Sequence, residues 1–176
     1  MKIRELERHE IGHLWAIDRA EVIDKLYYHE DDELVLKPEY YDMQGWAEGE
    51  PERYAPILLD CFDQGGTFYG AFDGQSLIGA MVLENRFIGR DKNQLQLKFL
   101  HVSRCNRKAG LGCTLFDMAV RRARELGARR LYISATASEN TVRFYLRRGC
   151  CVTQDVDAGL YELEPEDIHL ECDIPV

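Results

Sequence analysis

At 176 residues, 45% of them hydrophobic, the chain has room for a sizeable core and is expected to form one compact domain. No stretch approaches the ~20 apolar residues of a membrane span, and Met1-Lys2-Ile3-Arg4-Glu5-Leu6-Glu7-Arg8 lacks the apolar centre of a signal peptide, so a cytoplasmic protein with no membrane partner is expected. A net charge of −9 argues against nucleic acid as the main partner. The six cysteines form no C-x-x-C pair and no zinc-finger spacing beside histidines, which predicts reduced thiols and no metal site.

The charge is unevenly spread. Between Arg104 and Arg148 eleven Lys and Arg residues stand against three acids, a segment of +8 that leaves −17 on the rest of the −9 chain. Such a split suits a polyanionic ligand on one side and a cationic partner on the other. Many of these arginines, taken singly, read equally as solvated helix faces.

Residues 2–7 read as a short strand, and His9 to Ala20 as a helix with Ile11, Leu14, Trp15 and Asp18 at helical spacing. Residues 27–50 show no clear period. Pro51 suits the first turn of a helix that continues through Tyr54 to Phe62 and stops at Gly65-Gly66. Thr67–Phe72 and Leu77–Leu83 then flank Asp73-Gly74, a hairpin signal, and Leu95–Val102 is a third strand. A helix over Gly110–Leu126 ends at Gly127. Arg130–Ala135 alternates as a strand, residues 139–148 make a short helix ended by Gly149, and Cys150–Val156 and Ile168–Ile174 close the chain as strands. This order predicts one mixed sheet with helices on it, and no linker or repeat divides it.

The stretch Val102-Ser103-Arg104-Cys105-Asn106-Arg107-Lys108-Ala109-Gly110-Leu111-Gly112 joins a strand to a long helix. A helix start carries unpaired N–H groups and a partial positive charge, which suits an anion. Glycines at 110 and 112 remove Cβ atoms where phosphate oxygens would approach the backbone, and Arg107 and Lys108 add positive charge. Close packing of helix on strand would explain the same glycines. A Walker loop is excluded by the missing Lys-Ser/Thr, and a dinucleotide fingerprint by the missing third glycine.

Arg107-Lys108-Ala109-Gly110-Leu111-Gly112 after Val102 resembles the [R/Q]-x-x-G-x-[G/A] motif of the GNAT N-acetyltransferases. Asn140-Thr141-Val142-Arg143-Phe144-Tyr145-Leu146-Arg147-Arg148-Gly149-Cys150 is similar to the family's N-x-x-x-x-F-Y-x-x-x-G-F, with three residues in place of four between Asn140 and Phe144. The likeness covers roughly residues 67–156 well, and the first 66 residues only in element order. Arg104 stands where the family often has proline, Lys108 replaces a frequent glycine and Cys150 the usual phenylalanine. The first two changes concern loop stiffness and the third core packing.

The resemblance implies an α/β (α+β) fold, a mixed, mostly antiparallel sheet of about six to seven strands flanked by about four helices. It implies a single domain over 1–176, with acceptor-side helices in 1–66, an acetyl-CoA-binding core in 67–156 and a closing strand in 157–176. The activity implied is direct transfer of an acetyl group from acetyl-CoA to a primary amine of a small molecule or peptide. The alternative is a catalytically silent acyl-CoA-binding regulatory module. Residues 107–112 (Arg107, Lys108, Ala109, Gly110, Leu111, Gly112) would hold the pyrophosphate, and the backbone of Leu100 and Val102 would pair with the pantetheine amides. A backbone N–H near Val102 would serve the oxyanion, Tyr145 would be the acid for the departing thiolate, and Asn140 would contact the cofactor, although Asn at a helix start also reads as a cap.

The base that deprotonates the amine is less legible: Glu84 is the first choice, with Asp91, His101 and the acidic residues 30–33 as alternatives, each also readable as plain exposed charge. Cys113 in the first helical turn is a weaker nucleophile candidate, and Cys105 an oxidation-sensitive bystander. Tyr27, Tyr28, Glu30, Asp31, Asp32, Glu33, Tyr40, Tyr41 and Trp46 suit a cationic acceptor, or form an exposed helical cap. Family members often dimerise, so a homodimer is a further partner to consider.

Overall fold

The structure is a computed structural model and describes residues 1–175. Among these, nine strands form: β1 (Lys2–Glu5), β2 (Glu21–Glu30), β3 (Glu33–Met43), β4 (Thr67–Asp73), β5 (Ser76–Ile88), β6 (Gln94–Val102), β7 (Arg130–Ala135), β8 (Cys151–Val152) and β9 (Ile168–Asp173). Four α-helices accompany them, α1 (Glu50–Asp63), α2 (Leu111–Glu125), α3 (Glu139–Arg147) and α4 (Ala158–Leu163), with 3-10 helices at Arg8–Ala16 and Arg104–Asn106. Seven strands make one mixed, mostly antiparallel sheet in the order β1-β4-β5-β6-β7-β9-β8, and β2 and β3 make a separate two-stranded ribbon. The described residues fall into two compact units.

The first unit comprises Met1–Glu21, Met43–Asn85 and Leu97–Arg122. Its apolar centre gathers Leu6, Ile11, Leu14, Ile17, Leu58, Cys61, Phe68, Leu77, Ala80, Val82 and Phe99, all buried. The opening helix is 3-10 over Arg8–Ala16 rather than α over His9–Ala20. Its apolar residues explain the difference: Ile11, Leu14 and Ile17 recur every third position and are buried, which matches three residues per turn. Helix α1 starts with Pro in its first turn and Glu50 and Glu52 at its positive end. It stops at Gly65, at φ 89°, and the Gly66 N–H then bonds the Cys61 carbonyl at 2.8 Å. A Cβ on Gly66 would stand 2.5 Å from Cys61 Sγ and 2.8 Å from Cys61 O, so that position tolerates only glycine.

An aromatic group closes the same unit. Trp46 meets Trp15 edge-on at 5.0 Å and His101 at 5.0 Å, and stacks on Phe99 at 5.8 Å. The Arg19 guanidinium lies 4.7 Å over Trp46 and pairs with Glu50. Burial, with Arg19 and Arg107 nearby, lowers the His101 pKa to about 3, so the ring is neutral near neutral pH.

The second unit comprises Val22–Asp42, Arg86–Gln96 and the residues from Ala123 on. Residues 27–50 do not form an irregular segment: the β2–β3 ribbon occupies most of it, turning through Asp31 (φ 49°) and Asp32 (φ 64°). Two consecutive left-handed residues make a type I′ hairpin geometry, and Asp tolerates that region where most side chains do not. Tyr27 N–H bonds Ala137 O at 2.8 Å, which anchors the ribbon within its unit.

Strands β6 and β7 run parallel where Gln94–Gln96 face Arg130–Tyr132, and β7 pairs antiparallel with β9 from Arg130↔Asp173 to Ala135↔Ile168. Tyr132, buried in β7, shares a 2.7 Å hydrogen bond with His169 Nδ1, while the Asp157 N–H donates to the same hydroxyl at 3.2 Å. The strand expected over Cys150–Val156 is only Cys151–Val152, and α4 follows it, capped by the Asp157 carboxylate on Leu160 N–H. Among the described residues no helix is long and apolar enough to cross a membrane.

Two tests follow from this packing. Gly66→Ala should lower stability by about 1–3 kcal/mol, the usual cost of overpacking, read as a lower urea midpoint with an unchanged slope. For His101, the folded pKa of about 3 lies below the ordinary 6.5, so the unfolded chain binds more protons between those values. The stability it contributes is complete above pH 6.5 and is lost as pH falls toward 3. His101→Gln should flatten the stability-versus-pH curve in that window, checked by urea titrations across it.

Candidate active site

The connection from β6 to α2 begins with the 3-10 turn Arg104–Asn106 and then passes through Lys108 (φ 66°) and Gly110 (φ 86°), both left-handed. Alternating hand in this way turns successive backbone N–H groups toward one concavity, an anion nest. Asn106 N–H bonds Ser103 O at 2.8 Å and Arg107 N–H bonds Arg104 O at 3.4 Å at the start of the loop, and Thr114 N–H bonds Gly110 O at 3.0 Å at its end, so the N–H groups just before Thr114 lie in the turn where a helix lacks internal acceptors. Lys108, Ala109 and Gly110 are exposed, and a Cβ on Gly110 would meet no atom within 4 Å. The loop therefore offers open space at a helix start, which fits a diphosphate. Leu111 is buried and anchors the helix: its Cδ2 would come within 3.2 Å of a Cβ on Gly79.

Arg107 does something the sequence does not show. Its Nε donates to Val102 O at 3.0 Å, Nη1 to Ala20 O at 3.1 Å and Nη2 to Asp18 O at 3.4 Å, with the Glu21 carboxylate 3.8 Å away. The guanidinium thus ties the end of β6 to the segment after the first 3-10 helix, and its charge is held there rather than mobile. Ser103 and Arg104 reinforce the tie, the Ser103 hydroxyl accepting from Asp18 N–H at 3.1 Å and Arg104 N–H donating to Asp18 O at 2.9 Å.

Leu100 and Val102 lie at the end of β6, both partly exposed. Glu84, on β5, is 3% exposed and pairs with Lys98 Nζ at 3.4 Å, while its other oxygen accepts the Asn85 N–H at 3.1 Å. A buried carboxylate needs such a counter-charge, and Lys98 was not among the residues singled out from sequence. Cys113 is half-exposed in the first turn of α2 and Cys105 is exposed.

In the second unit, α3 carries Tyr145 and Asn140. Ser138 caps this helix through the Thr141 N–H at 3.3 Å, so Asn140 sits inside the first turn with its side chain exposed rather than serving as the cap. Ser immediately before Glu139 was the signal that marks this cap. Tyr145 is 6% exposed. Burial, with the Cys150 thiol and the Asp167 carboxylate, holds its phenol well above the usual tyrosine range, so it remains a protonated donor.

The aromatic and acidic residues of the N-terminal third separate. Tyr27, Tyr28, Tyr40 and Tyr41 belong to the β2–β3 ribbon, with Tyr40 and Tyr41 exposed, while residues 31 and 32 form its turn. The hydroxyls of Tyr28 and Tyr41 both donate to Glu39, and Trp46 is packed in the aromatic group of the first unit. The exposed helical cap considered for this region is therefore a strand pair. Asp91 lies in the turn between β5 and β6. Among the described residues no group of three His, Cys, Asp or Glu side chains is placed to hold a metal ion.

The family model described as "Acetyltransferase (GNAT) family" matches residues 23–150. No curated protein sequence matches the chain. Among solved structures, nourseothricin acetyltransferase is similar at a TM-score of 0.70 and 18% identity, over 99% of this chain and 98% of that one. A Bacillus anthracis protein provisionally assigned as a streptothricin acetyltransferase, solved with acetyl coenzyme A, gives 0.72 and 18% over the same shares. PaiA N-acetyltransferase from Thermoplasma acidophilum, solved with coenzyme A, gives 0.64 and 18% over 98% of each chain. At these identities the structural likeness is one of fold. The family match spans most of the sequence and includes the nest, the 100–102 strand end and Tyr145, and the chain belongs to the GNAT acetyltransferase family.

Proposed function

We propose that the whole chain acts as one acetyl-CoA-dependent N-acetyltransferase domain, moving an acetyl group directly to a primary amine of a small molecule or peptide. The observation that carries this reading is the exposed left-handed nest at Lys108–Gly110 opening α2, inside the family match. The fold neighbours solved with acetyl coenzyme A or coenzyme A support it.

When bound, acetyl-CoA supplies the activated acyl group. The backbone amides of residues 107–112 hold its diphosphate, with the fixed charge of Arg107 and the mobile one of Lys108 beside them. Asn140, exposed on α3, adds a polar contact to it. The backbone of Leu100 and Val102 would pair with the pantetheine amides as an added strand, and a backbone N–H near Val102 would serve the carbonyl oxygen as it gains negative charge. The Tyr145 hydroxyl donates to the departing sulfur. A phenol held above its ordinary pKa gives up its proton reluctantly, so its contribution is a hydrogen bond that strengthens as the sulfur becomes charged. Glu84 takes the proton from the attacking ammonium, through a water where direct reach is lacking. The acceptor is cationic, drawn by the acidic remainder of the chain and the tyrosines of the β2–β3 ribbon.

Three measurements test this assignment. Tyr145→Phe should lower kcat by about 100-fold, within the range general acids supply, and leave acetyl-CoA affinity unchanged by calorimetry. Release of CoA thiol should be followed over a panel of polyamine, aminosugar and peptide amines. Tight acetyl-CoA binding with no thiol release from any amine identifies the silent binding module instead. Gly110→Val, which places a branched side chain in the nest at positive φ, should weaken acetyl-CoA binding by about tenfold or more, as expected when phosphate contacts to main-chain N–H groups are disturbed. An unchanged affinity would remove the nest from the site.

A further inference from the structure

We propose that Cys150 and Cys172 are an oxidation-sensitive dithiol, closed to a disulfide by peroxide and reopened by thiols, that controls the position of Tyr145. The control rests on the reading of Tyr145 given above; the dithiol itself does not.

The ladder between β8 and β9 pairs Cys151 with Glu171 and Val152 with Leu170. Continued one residue back, this antiparallel register sets Cys150 opposite Cys172. Residues facing each other in such a ladder have Cα atoms ~4.5–5.5 Å apart, inside the span a disulfide bridges. Cys172 Sγ donates to Arg148 O at 3.9 Å and to Asp173 O at 3.8 Å, and the two thiols act on each other's ionisation. This mutual influence lowers the Cys172 pKa and raises that of Cys150, so Cys172 is the thiol that deprotonates first. Both side chains are nearly buried, at 5% and 6% exposure, so a small oxidant is selected over bulky ones. Cys151 is exposed and faces away, as strand alternation requires.

The coupling to Tyr145 is both covalent and spatial. Cys150 N–H donates to the Tyr145 carbonyl at 3.1 Å, and Arg148 N–H donates to the same oxygen at 2.9 Å. The Cys150 thiol is near enough to the Tyr145 phenol to bear on its ionisation. An S–S bond of ~2.04 Å ties Cys150 to β9 and, through the Cys150 N–H on the Tyr145 carbonyl, restrains the turn that ends α3.

The chemistry balances with hydrogen peroxide as the oxidant. The Cys172 thiolate attacks one peroxide oxygen, the O–O bond breaks, hydroxide leaves and the sulfur becomes a sulfenic acid. The Cys150 sulfur then attacks that sulfur, the S–O bond breaks, and the released hydroxide takes the Cys150 proton as water. Two thiols are oxidised by two electrons in all, and one peroxide is reduced to two waters.

The full chain, treated with hydrogen peroxide and then alkylated, provides the test. Trypsin cuts after Arg148 and leaves residues 149–176 as one peptide holding Cys150, Cys151 and Cys172. Its mass should fall by two hydrogens, with Cys151 the one alkylated cysteine, and cleavage after Glu162 should give fragments that part only on reduction. Turnover with an amine active in the panel should drop about tenfold or more, as small displacements of catalytic groups do, and dithiothreitol should restore it. The ring signals of Tyr145 in tyrosine-labelled protein should shift on oxidation and return on reduction, a readout independent of any acceptor. Cys151→Ser should behave as the native chain, and Cys172→Ser should keep its turnover under peroxide. Should Cys172→Ser fail to fold, the native cross-link and its reversal decide alone. Three alkylated cysteines in the peroxide-treated peptide overturn the proposal, as does a cross-link that leaves the Tyr145 signals and turnover unchanged. An error in the role of Tyr145 shows separately, as a fully reduced Tyr145→Phe protein with native turnover.

Discussion

The guanidinium of Arg107 is held by the carbonyls of Val102, Ala20 and Asp18, and this arrangement sets where β6 ends and α2 begins. A chain leaving a strand must satisfy its last carbonyl and change direction before a helix can start. Here an arginine from the loop itself accepts that task, and Ser103 and Arg104 fasten the same bend through Asp18. The left-handed residues Lys108 and Gly110 follow directly on this tied turn. The shape of the loop thus depends on how the strand terminates as well as on its glycines.

A division of chemical labour runs through the chain. In the first unit the polar groups near the strand end are fixed by main-chain acceptors and by one buried ion pair, a rigid setting suited to gripping a charged ligand. The second unit has ion pairs such as Arg130 with Asp173 and Arg143 with Glu139, and beside them hydrogen bonds between titratable side chains, Tyr132 with His169 and Tyr28 and Tyr41 with Glu39. Groups of the latter kind respond to their chemical surroundings, because moving one proton changes both members of the pair.

Much of the fold was legible because its punctuation is strong. Gly74 at φ 60° turns β4 into β5, Gly127 at φ 89° ends α2 and Gly149 at φ 85° ends α3, each where the sequence places a stop. The ribbon escaped notice because its turn is Asp31-Asp32, which lacks the glycine that usually marks a two-residue hairpin. The opening helix was read with the wrong period, since Ile11 and Leu14 fit 3.6 as well as 3.0 and only Ile17 decides between them. At the candidate site the loop and helix start were readable from local residues. The partners of Arg107 were not, as Ala20 and Asp18 lie 87 and 89 positions away, and no local pattern encodes such a distance. Lys98 escaped for the same reason: Glu84 reads as exposed charge until a neighbouring strand brings its counter-ion.

That buried pair of Glu84 and Lys98 also bears on how the sequence can drift. Loss of either member alone leaves the other as a buried charge without its counter-ion, at a cost of about 3–5 kcal/mol, a large share of the usual stability of a folded protein. A double exchange to two apolar side chains avoids that penalty but removes the carboxylate proposed above as the base. Descendants that keep the proposed activity are therefore confined to lineages that keep Glu84, and Lys98 is retained with it as the counter-ion of a buried carboxylate.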